Sequence, residues 1–387
     1  KIFLKEVGLR MPKDVNFLAA LSGGIDSSVL TYYISRLKKN VKTLFGISEN
    51  LDKKRNDEFT DLEASYSVSK KLNTNHTHIE LNTPECINNI NYFAENCFDG
   101  CVDPGVANFA GLAEYSKKKN FKVMLFSDGV DEFLGGYELD IEANRLDKII
   151  SKNFFLREFL LKSSLGKKIL ILLLRIKKNK ELQLSYKPTY FKVNHAVCPD
   201  NFLKNILKDY DSRKNLEYGK TSEIYNDIIP DLDYSQIRAL NYASKTIPDM
   251  YNLRLDKAFM HHSVEVRLPF QSVELAEFFI AMPSKFRFNK KKGKFILREF
   301  VKVYIDRKIS NRPKVGMGNY LWATENIFKT LNFNKTITET NFFDKFPFSA
   351  NVKKTLLKNG THPANLWAAY CYIKTFNKLN KINSVKT

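Results

Sequence analysis

The segment from Ser22 to Ser28, with the sequence SGGIDSS, constrains the fold of this chain more than any other stretch. It follows the apolar run Phe17 to Leu21, which is typical of a buried parallel strand, and it precedes apolar residues at helical spacing. These apolar residues are Val29, Leu30, Tyr33, Ile34 and Leu37. A loop between a strand and a helix N-terminus presents unpaired backbone N–H groups, and its glycines allow an anion to approach the backbone closely. The segment therefore predicts a phosphate-binding loop.

The loop does not end in Gly-Lys-Ser or Gly-Lys-Thr, so it differs from the loop that holds β and γ phosphates with a lysine. Its sequence resembles the pyrophosphate loop of the ATP pyrophosphatase families, which cleave ATP between the α and β phosphates. The resemblance implies that ATP is a substrate and that a carboxylate or carbonyl group becomes adenylated.

Residues 1 to about 140 alternate between strand and helix patterns, which predicts an α/β fold with a parallel sheet and helices on both faces. The predicted strands are Phe17 to Leu21, Thr43 to Ile47, Thr77 to Leu81 and Val123 to Phe126, and the predicted helices are 27–39, 57–72 and 105–119. Ligands of such sheets bind at the carboxyl ends of the strands. Because the polar motifs of this half follow strands, we expect them to face one crevice.

The length of 387 residues and the hydrophobic fraction of 43% allow more than one region with its own core. We predict an ATP-binding α/β core at 1–145, a divergent helical insertion at 146–240 and a helical region at 241–387 that completes the site. The last region has a helical pattern that is interrupted by prolines. We therefore expect a mainly helical region from residue 241 onward.

A second polar block, Phe126 to Tyr137 with the sequence FSDGVDEFLGGY, follows the fourth predicted strand. Its carboxylates Asp128, Asp131 and Glu132 would repel one another in an apolar crevice unless a cation offset their charge. Mg²⁺ bound to ATP is such a cation, and it takes one or two carboxylates together with phosphate oxygens. The sequence therefore predicts that Asp26 and Asp131 hold Mg²⁺.

Two more blocks lie in the C-terminal region. One runs from Leu253 to Phe270 and has the sequence LRLDKAFMHHSVEVRLPF. The other consists of two segments, KFILRE, which begins at Lys294, and NRPKVGMG, which ends at Gly318. Lys314 follows a proline on a short loop, where a fixed cation can stabilise charge that develops during a reaction. We therefore single out Lys314 among the many lysines of the chain.

The four blocks, in this order, resemble the synthetase domain of the asparagine synthetase family, which includes β-lactam synthetases. The resemblance covers about residues 10 to 145 and 240 to 375. The ATP-binding residues that it implies are Leu21, Ser22, Gly23, Gly24, Asp26, Ser27, Phe45, Phe126 and Ser127. It also implies Asp26 and Asp131 as magnesium ligands, Lys314 as the catalytic residue that stabilises the intermediate, and Asp128 as the residue that orients or deprotonates the amine.

The resemblance implies an AMP-forming carbon–nitrogen ligase that uses ATP and Mg²⁺. A carboxylate, by default that of aspartate, would be adenylated with release of pyrophosphate, and ammonia or another amine would then displace AMP to give the amide, by default asparagine. One alternative is amidation of a sugar carboxylate or a peptide. Another is a tRNA-modifying ATP pyrophosphatase, although the chain lacks the paired cysteines that sulfur transfer commonly uses. A third is a non-catalytic protein that binds a nucleotide.

Three departures from the family pattern bear on substrate and nitrogen source. Phe126 stands where a serine or threonine is usual, and Gln271-Ser272 replaces the usual Leu-Asp after Pro-Phe. No cysteine precedes Cys86, so the family's N-terminal glutaminase domain, with its nucleophilic cysteine, is absent from this sequence. We expect either a longer protein, or ammonia or an amine supplied by solvent or by a separate glutaminase.

The formal net charge of +20 raises the question of a nucleic-acid partner. The lysines are spread along the chain in a composition rich in Lys, Asn and Ile, so we favour compositional drift over nucleic-acid binding. The longest aliphatic run, Ile169 to Leu174, is too short to cross a bilayer. Five irregularly spaced cysteines and the absence of a leader pattern indicate reduced thiols and a cytoplasmic location.

Overall fold

A computed structural model describes most of the chain. The described residues are 1–48, 59–81, 83–96, 105–138, 232–289, 292–313, 331–358 and 363–384, together with 205–208 and isolated positions between 140 and 169. The expected insertion at 146–240 lies mostly outside them, so the domain boundaries at 145 and 240 stay predictions.

One parallel sheet of five strands has the order β3-β2-β1-β4-β5. The strands are β1 (Phe17–Ala20), β2 (Lys42–Ser48), β3 (Asn75–Leu81), β4 (Val123–Leu125) and β5 (Glu265–Arg267). β1 lies at the centre, where Ala19 aligns with Thr43 of β2 and with Leu125 of β4. The sheet confirms the α/β class, and β1 to β4 confirm the four predicted strands with ends shifted by one or two residues.

The region after residue 241 is mainly helical, as predicted, and it also contributes the short strand β5. This strand pairs with β4, with Glu265 aligned to Val123. Two backbone hydrogen bonds extend the pairing: the N–H of Glu265 donates to the carbonyl of Lys122 at 2.8 Å, and the N–H of Phe126 donates to that of Arg267 at 3.0 Å. The C-terminal region therefore completes the sheet beside the strand that leads into the acidic block.

Helices cover both faces of the sheet. They are α1 (Ile2–Arg10), α2 (Ile25–Leu37), α3 (Asp61–Leu72), α4 (Thr83–Asn96), α5 (Val106–Lys118), α6 (Val130–Leu134), α7 (Tyr234–Asn241), α8 (Leu253–Met260), α9 (Val273–Ala281), α10 (Ser284–Arg287), α11 (Phe295–Tyr304), α12 (Arg307–Asn311), α13 (Phe333–Glu339), α14 (Val352–Leu356) and α15 (Pro363–Ser384). A π-helix, Tyr242–Asn252, joins α7 to α8, and 3₁₀ turns span Pro269–Gln271 and Phe342–Asp344.

The alternation of side chains along β1 shows how the two faces are buried. Phe17 and Ala19 belong to a hydrophobic cluster that includes residues of α1 and α2. Leu18 belongs to a second cluster with residues of α5 and α8. Since both faces are covered, β1 and its neighbour β4 carry apolar residues at every position.

The helices predicted at 27–39, 57–72 and 105–119 correspond to α2, α3 and α5. α3 begins with a capping box, in which Oγ1 of Thr60 accepts from the N–H of Glu63 and the Glu63 carboxylate accepts from the N–H of Thr60. α1 and α4 were not predicted. No helix in the described part of the chain is long and apolar enough to cross a membrane.

The long helix α15 packs against α4. Trp367, Tyr370 and Cys371 of α15 are buried in a cluster with Ile90 and Ala94 of α4. This packing ties the C-terminal helices to the α/β core, close to strand β3, whose last residue Leu81 belongs to the same cluster.

Candidate active site

The glycine-serine loop lies where β1 ends and α2 begins. Gly24 occupies the N-cap position of α2 and offers no side chain to the first backbone N–H groups. The hydroxyls of Ser27 and Ser28 donate to the carbonyl of Gly24 at 3.2 and 2.6 Å, and the oxygens of Ser22 and Ser27 are 3.2 Å apart. The geometry therefore presents helix N–H groups and serine hydroxyls together, which is the donor set that an anionic phosphate needs.

Gly23 is required by both its conformation and its surroundings. Its φ is +71°, in the left-handed region. A Cβ at this position would lie 2.4 Å from the backbone nitrogen of Ser65 and 2.6 Å from Cβ of Ala64. The loop therefore packs directly on the backbone of α3, and no other residue fits at position 23 without moving that helix.

The acidic block forms a tight turn and the short helix α6 after β4. Gly129 precedes the helix with a φ of +106°, and Gly135 ends it with a φ of +69°. Asp131 and Glu132 are buried, with 6% and 4% of their surface exposed. Two buried carboxylates at successive positions need neighbours that offset their charge or supply hydrogen bonds.

A lysine supplies the positive charge for Asp131. Nζ of Lys294 lies 2.5 Å from Oδ1 of Asp131 and 2.5 Å from Oδ2 of Asp26, and the lysine side chain is only 3% exposed. The two aspartates predicted as magnesium ligands are thus brought together around a single cationic atom. Their role as magnesium ligands stays a prediction, but their convergence is a feature of the structure.

The backbone of Lys294 is unusual. Its φ is +54°, the left-handed region that few residues other than glycine adopt, and it occupies the N-cap position of α11. A cation at a helix N-terminus is also unfavourable, because the N-terminal end of the helix dipole is positive. Lys294 therefore departs from the usual backbone conformation and from the usual charge preference at a helix N-terminus, and such local strain is typical of residues at functional sites.

Glycines allow this close arrangement. A Cβ at Gly136 would lie 1.6 Å from Oδ1 of Asp131 and 2.7 Å from Cε of Lys294. A Cβ at Gly293 would lie 1.6 Å from the carbonyl oxygen of Gly135. The loop that carries the lysine and the turn that carries the aspartate therefore touch backbone to backbone.

Glu132 faces a different set of groups. The Tyr137 hydroxyl donates to its carboxylate, and the hydroxyls of Tyr137 and Tyr251 are 3.5 Å apart. Burial, reinforced by the charge of Asp131, raises the pKa of Glu132 to about 7. Burial also raises the pKa of Tyr137 well above its usual value, so the hydroxyl stays a donor.

Asp128, the predicted partner of the amine, is half-buried and lies near Arg254, with Nη2 to Oδ1 at 3.8 Å. The guanidinium of Arg254 stacks over two aromatic rings, with its central carbon 4.8 Å from the Phe109 centroid and 5.1 Å from the Tyr251 centroid. Because the aromatic faces hold the arginine in place, the Asp128 carboxylate meets a positioned positive charge.

The predicted adenosine contacts occupy two environments. Leu21 and Phe126 are buried; the N–H of Leu21 donates to the carbonyl of Leu44 at 3.0 Å, and Phe126 packs among aromatic rings of its hydrophobic cluster. Phe45 and Ser127 are half-buried; Phe45 lies within β2, and Ser127 lies just after the end of β4. Contact of these residues with ATP stays a prediction. Lys314 lies outside the described residues.

The fold and the site define an α/β protein in which a glycine-rich loop joins the carboxyl end of the central strand to a helix. The model of the asparagine synthase family matches residues 1–376, and the chain belongs to that family. It is 23% identical over 324 residues to asparagine synthetase [glutamine-hydrolyzing] 1 of Bacillus subtilis (strain 168), a match that covers 80% of this chain and 47% of the relative. The chain thus spans about half the length of that relative.

Proposed function

We propose that this chain is an ATP-dependent, AMP-forming amide ligase of the asparagine synthetase type. The observation that carries the proposal is the convergence of Asp26 and Asp131, each 2.5 Å from the ammonium of Lys294, beside the glycine-serine loop at the head of α2. Family membership and the name of the Bacillus relative support the same reaction class.

The loop is suited to the pyrophosphate part of ATP. The uncapped N-terminus of α2 supplies backbone donors, and Ser22 and Ser27 supply hydroxyls at the same end of the helix. The positive end of the helix dipole adds to this attraction, and it acts on pyrophosphate both while it is part of ATP and while it leaves.

The carboxylates fit a divalent cation. Asp26 and Asp131 already face one cationic atom, and the position of Gly136 leaves no side chain between them and the loop of Lys294. Magnesium prefers carboxylate oxygens together with phosphate oxygens, and when bound it neutralises charge on the phosphates. Asp26 and Asp131 are the residues that would hold it.

In the proposed reaction, a substrate carboxylate attacks the α-phosphorus of ATP, pyrophosphate leaves, and an acyl-adenylate forms. An amine then attacks the acyl carbon, AMP leaves, and the amide remains. Asp128 orients the amine or accepts its proton, and Arg254 holds the Asp128 carboxylate in place. Lys314 is proposed to stabilise the charge of the intermediate. We propose aspartate as the carboxylate and ammonia as the nitrogen donor.

The test is pyrophosphate release by the purified chain with ATP, Mg²⁺ and ammonium, with aspartate compared with a panel of sugar carboxylates and peptides. Release that depends on aspartate, with AMP and asparagine as products, is the expected result. Release that depends on another carboxylate would keep the ligase and replace the substrate. Release stimulated by tRNA would favour the tRNA-modifying alternative, and no release with any substrate would contradict the proposal.

A substitution links the reaction to the acidic pair. Asp131→Asn should shift the Mg²⁺ concentration needed for half-maximal release upward by about tenfold or more, because an amide oxygen is a weaker ligand for a hard cation. Asp344→Asn removes the same charge at an exposed position and serves as the control. Equal Mg²⁺ dependence in the two variants would remove Asp131 from the metal site.

A further inference from the structure

We propose that Arg312 is a positioning residue that fixes the direction of the Gly23–Gly24 peptide in the phosphate-binding loop. Nη1 of Arg312 donates to the carbonyl oxygen of Gly23 at 3.1 Å, and Nη2 donates to the carboxylate of Asp61 in the first turn of α3. The guanidinium carbon also lies 5.5 Å from the ring centroid of Phe59. One side chain thus joins the loop to the start of a neighbouring helix.

The backbone of Arg312 is itself held by a second arginine. Nη1 of Arg298 donates to the carbonyl of Arg312 at 3.0 Å and to that of Ser310 at 2.7 Å, and Nε of Arg298 donates to the carbonyl of Gly293 at 3.0 Å. Both arginines are shielded from solvent: 10% of the Arg312 side chain is exposed, and 8% of the surface of Arg298. Arg312 is therefore anchored at both ends, and it can constrain the group that it contacts.

The planarity of the peptide bond gives this contact its consequence. In a trans peptide the carbonyl of Gly23 and the N–H of Gly24 point in opposite directions, so a donor that fixes the carbonyl also fixes the N–H. Two successive glycines would otherwise leave this peptide free to rotate, since glycine tolerates both signs of φ. Among the described residues, the N–H of Gly24 makes only a long hydrogen bond, 3.4 Å, to Oγ of Ser22.

That N–H belongs to the donor group at the head of α2, where the proposed function places the pyrophosphate of ATP. By fixing its direction before the ligand arrives, Arg312 lowers the cost of ordering the loop on binding. The arginine contributes through the loop rather than through a contact with phosphate. This inference rests on the proposed function.

The test measures the affinity of the chain for inorganic pyrophosphate with Mg²⁺ by titration calorimetry. Arg312→Met should weaken binding by about tenfold to a hundredfold, the range expected for losing a charged hydrogen bond that organises the site. Arg312→Lys keeps the charge but cannot form both hydrogen bonds, so we expect an intermediate loss. Arg307→Met removes the same charge from an exposed position in α12 and should bind as the wild type does.

Asp61→Asn supplies a variant that leaves the arginine in place. It weakens the second anchor of Arg312, and we expect a loss smaller than that of Arg312→Met. If attraction by net charge were the cause, Arg312→Lys would bind normally and Arg307→Met would lose as much as Arg312→Met. If the role were only structural, the melting temperature of Arg312→Met would fall while its affinity at low temperature stayed normal.

Circular dichroism checks that each variant is folded at the temperature of the titration. Normal pyrophosphate affinity in folded Arg312→Met would overturn this inference and leave the proposed function intact. Absence of pyrophosphate binding in the wild-type chain would overturn the proposed function and this inference with it. Should Arg312→Met fail to fold, Arg312→Lys and Asp61→Asn carry the test, and wild-type affinity in both would overturn the inference.

Discussion

Nζ of Lys294 lies 2.5 Å from Oδ1 of Asp131, in a place where both side chains are shielded from water, with 3% and 8% of their surfaces exposed. The same ammonium lies 2.5 Å from Asp26. Removing one member of a buried ion pair leaves an uncompensated charge, which costs much more than the loss of a surface pair. Removal of the Lys294 ammonium would leave two largely buried carboxylates, those of Asp26 and Asp131, without its compensating charge.

Lys294→Met should therefore lower the free energy of unfolding by about 3–5 kcal/mol, measured by urea denaturation without metal. Lys302→Met, which removes the exposed partner of Glu299 in the same helix α11, should cost less than about 1 kcal/mol. Addition of Mg²⁺ should raise the melting temperature of Lys294→Met more than that of the wild type, because a divalent cation can then take the place of the ammonium between the aspartates. Equal effects of Mg²⁺ on the two proteins would contradict this assignment.

Much of the α/β core could be predicted because its signals are local. β1, the glycine-serine loop and α2 follow one another in the sequence, and the acidic block follows β4 directly. The carboxyl ends of parallel strands meet at one edge of the sheet, so the pairing of Asp26 with Asp131 followed from position alone. Because the two loops lie at the same edge of the sheet, both aspartates reach Nζ of Lys294.

The remaining features depend on contacts between distant parts of the chain. β5 has only three residues, too few to show a period of two, and its partner β4 lies far away in the sequence. Lys294 adopts a left-handed conformation and contacts Asp26 and Asp131, which lie far from it in the sequence. No spacing pattern reports such a contact, and Arg312 was missed for the same reason.

A departure from the family pattern has a structural reason. Ser272, which replaces the usual aspartate, is the N-cap of α9, and its hydroxyl accepts from the N–H of Leu275 at 3.2 Å. Burial alone would raise the pKa of the nearby Glu6, but the Ser272 hydroxyl and the Arg10 guanidinium more than offset this effect, and the pKa of Glu6 is lowered. A serine therefore caps the helix without adding another carboxylate beside Glu6, which already interacts with Glu274.

Ser272→Ala should lower the free energy of unfolding by about 1–2 kcal/mol, through loss of the cap. Ser272→Asp restores the capping oxygen but sets like charges side by side, so it should be less stable than the wild type at pH 7. The difference should shrink at pH 4, because uptake of one proton by the pair of carboxylates relieves their repulsion. Urea denaturation at the two pH values provides the measurement. A Ser272→Asp protein as stable as the wild type at pH 7 would contradict the argument.

His76 predicts how the free energy of unfolding depends on pH. Its Nδ1 lies 2.8 Å from Oγ1 of Thr43, and its Nε2 lies 3.0 Å from Oγ of Ser65. Burial, with a contribution from the charge of His78, lowers the pKa of His76 from 6.5 to about 4. Between these two values the unfolded chain binds a proton that the folded chain does not, so the free energy of unfolding should fall as the pH falls from 6.5 to 4.

Because His76 is not fully buried, we expect its contribution over this window to be about 1–2 kcal/mol. Urea denaturation at pH 7 and pH 4.5 measures the difference. His76→Gln should show a smaller loss than the wild type between these two pH values. An identical pH dependence in His76→Gln and the wild type would exclude His76 as the source.

Gly293 tests whether the loop of Lys294 must touch the turn of Asp131. A Cβ at position 293 would lie 1.6 Å from the carbonyl oxygen of Gly135, and this oxygen belongs to backbone that cannot rotate away. Gly293→Ala should therefore separate the two segments, reduce pyrophosphate release by more than about tenfold and lower the free energy of unfolding by about 1–3 kcal/mol. Gly8→Ala is the matched control: its Cβ would lie 3.5 Å from Cδ1 of Leu37, an ordinary contact, and alanine in the middle of α1 should stabilise the protein by about 0.5–1 kcal/mol. Wild-type activity and stability in Gly293→Ala would mean that Lys294 reaches Asp131 without this backbone contact.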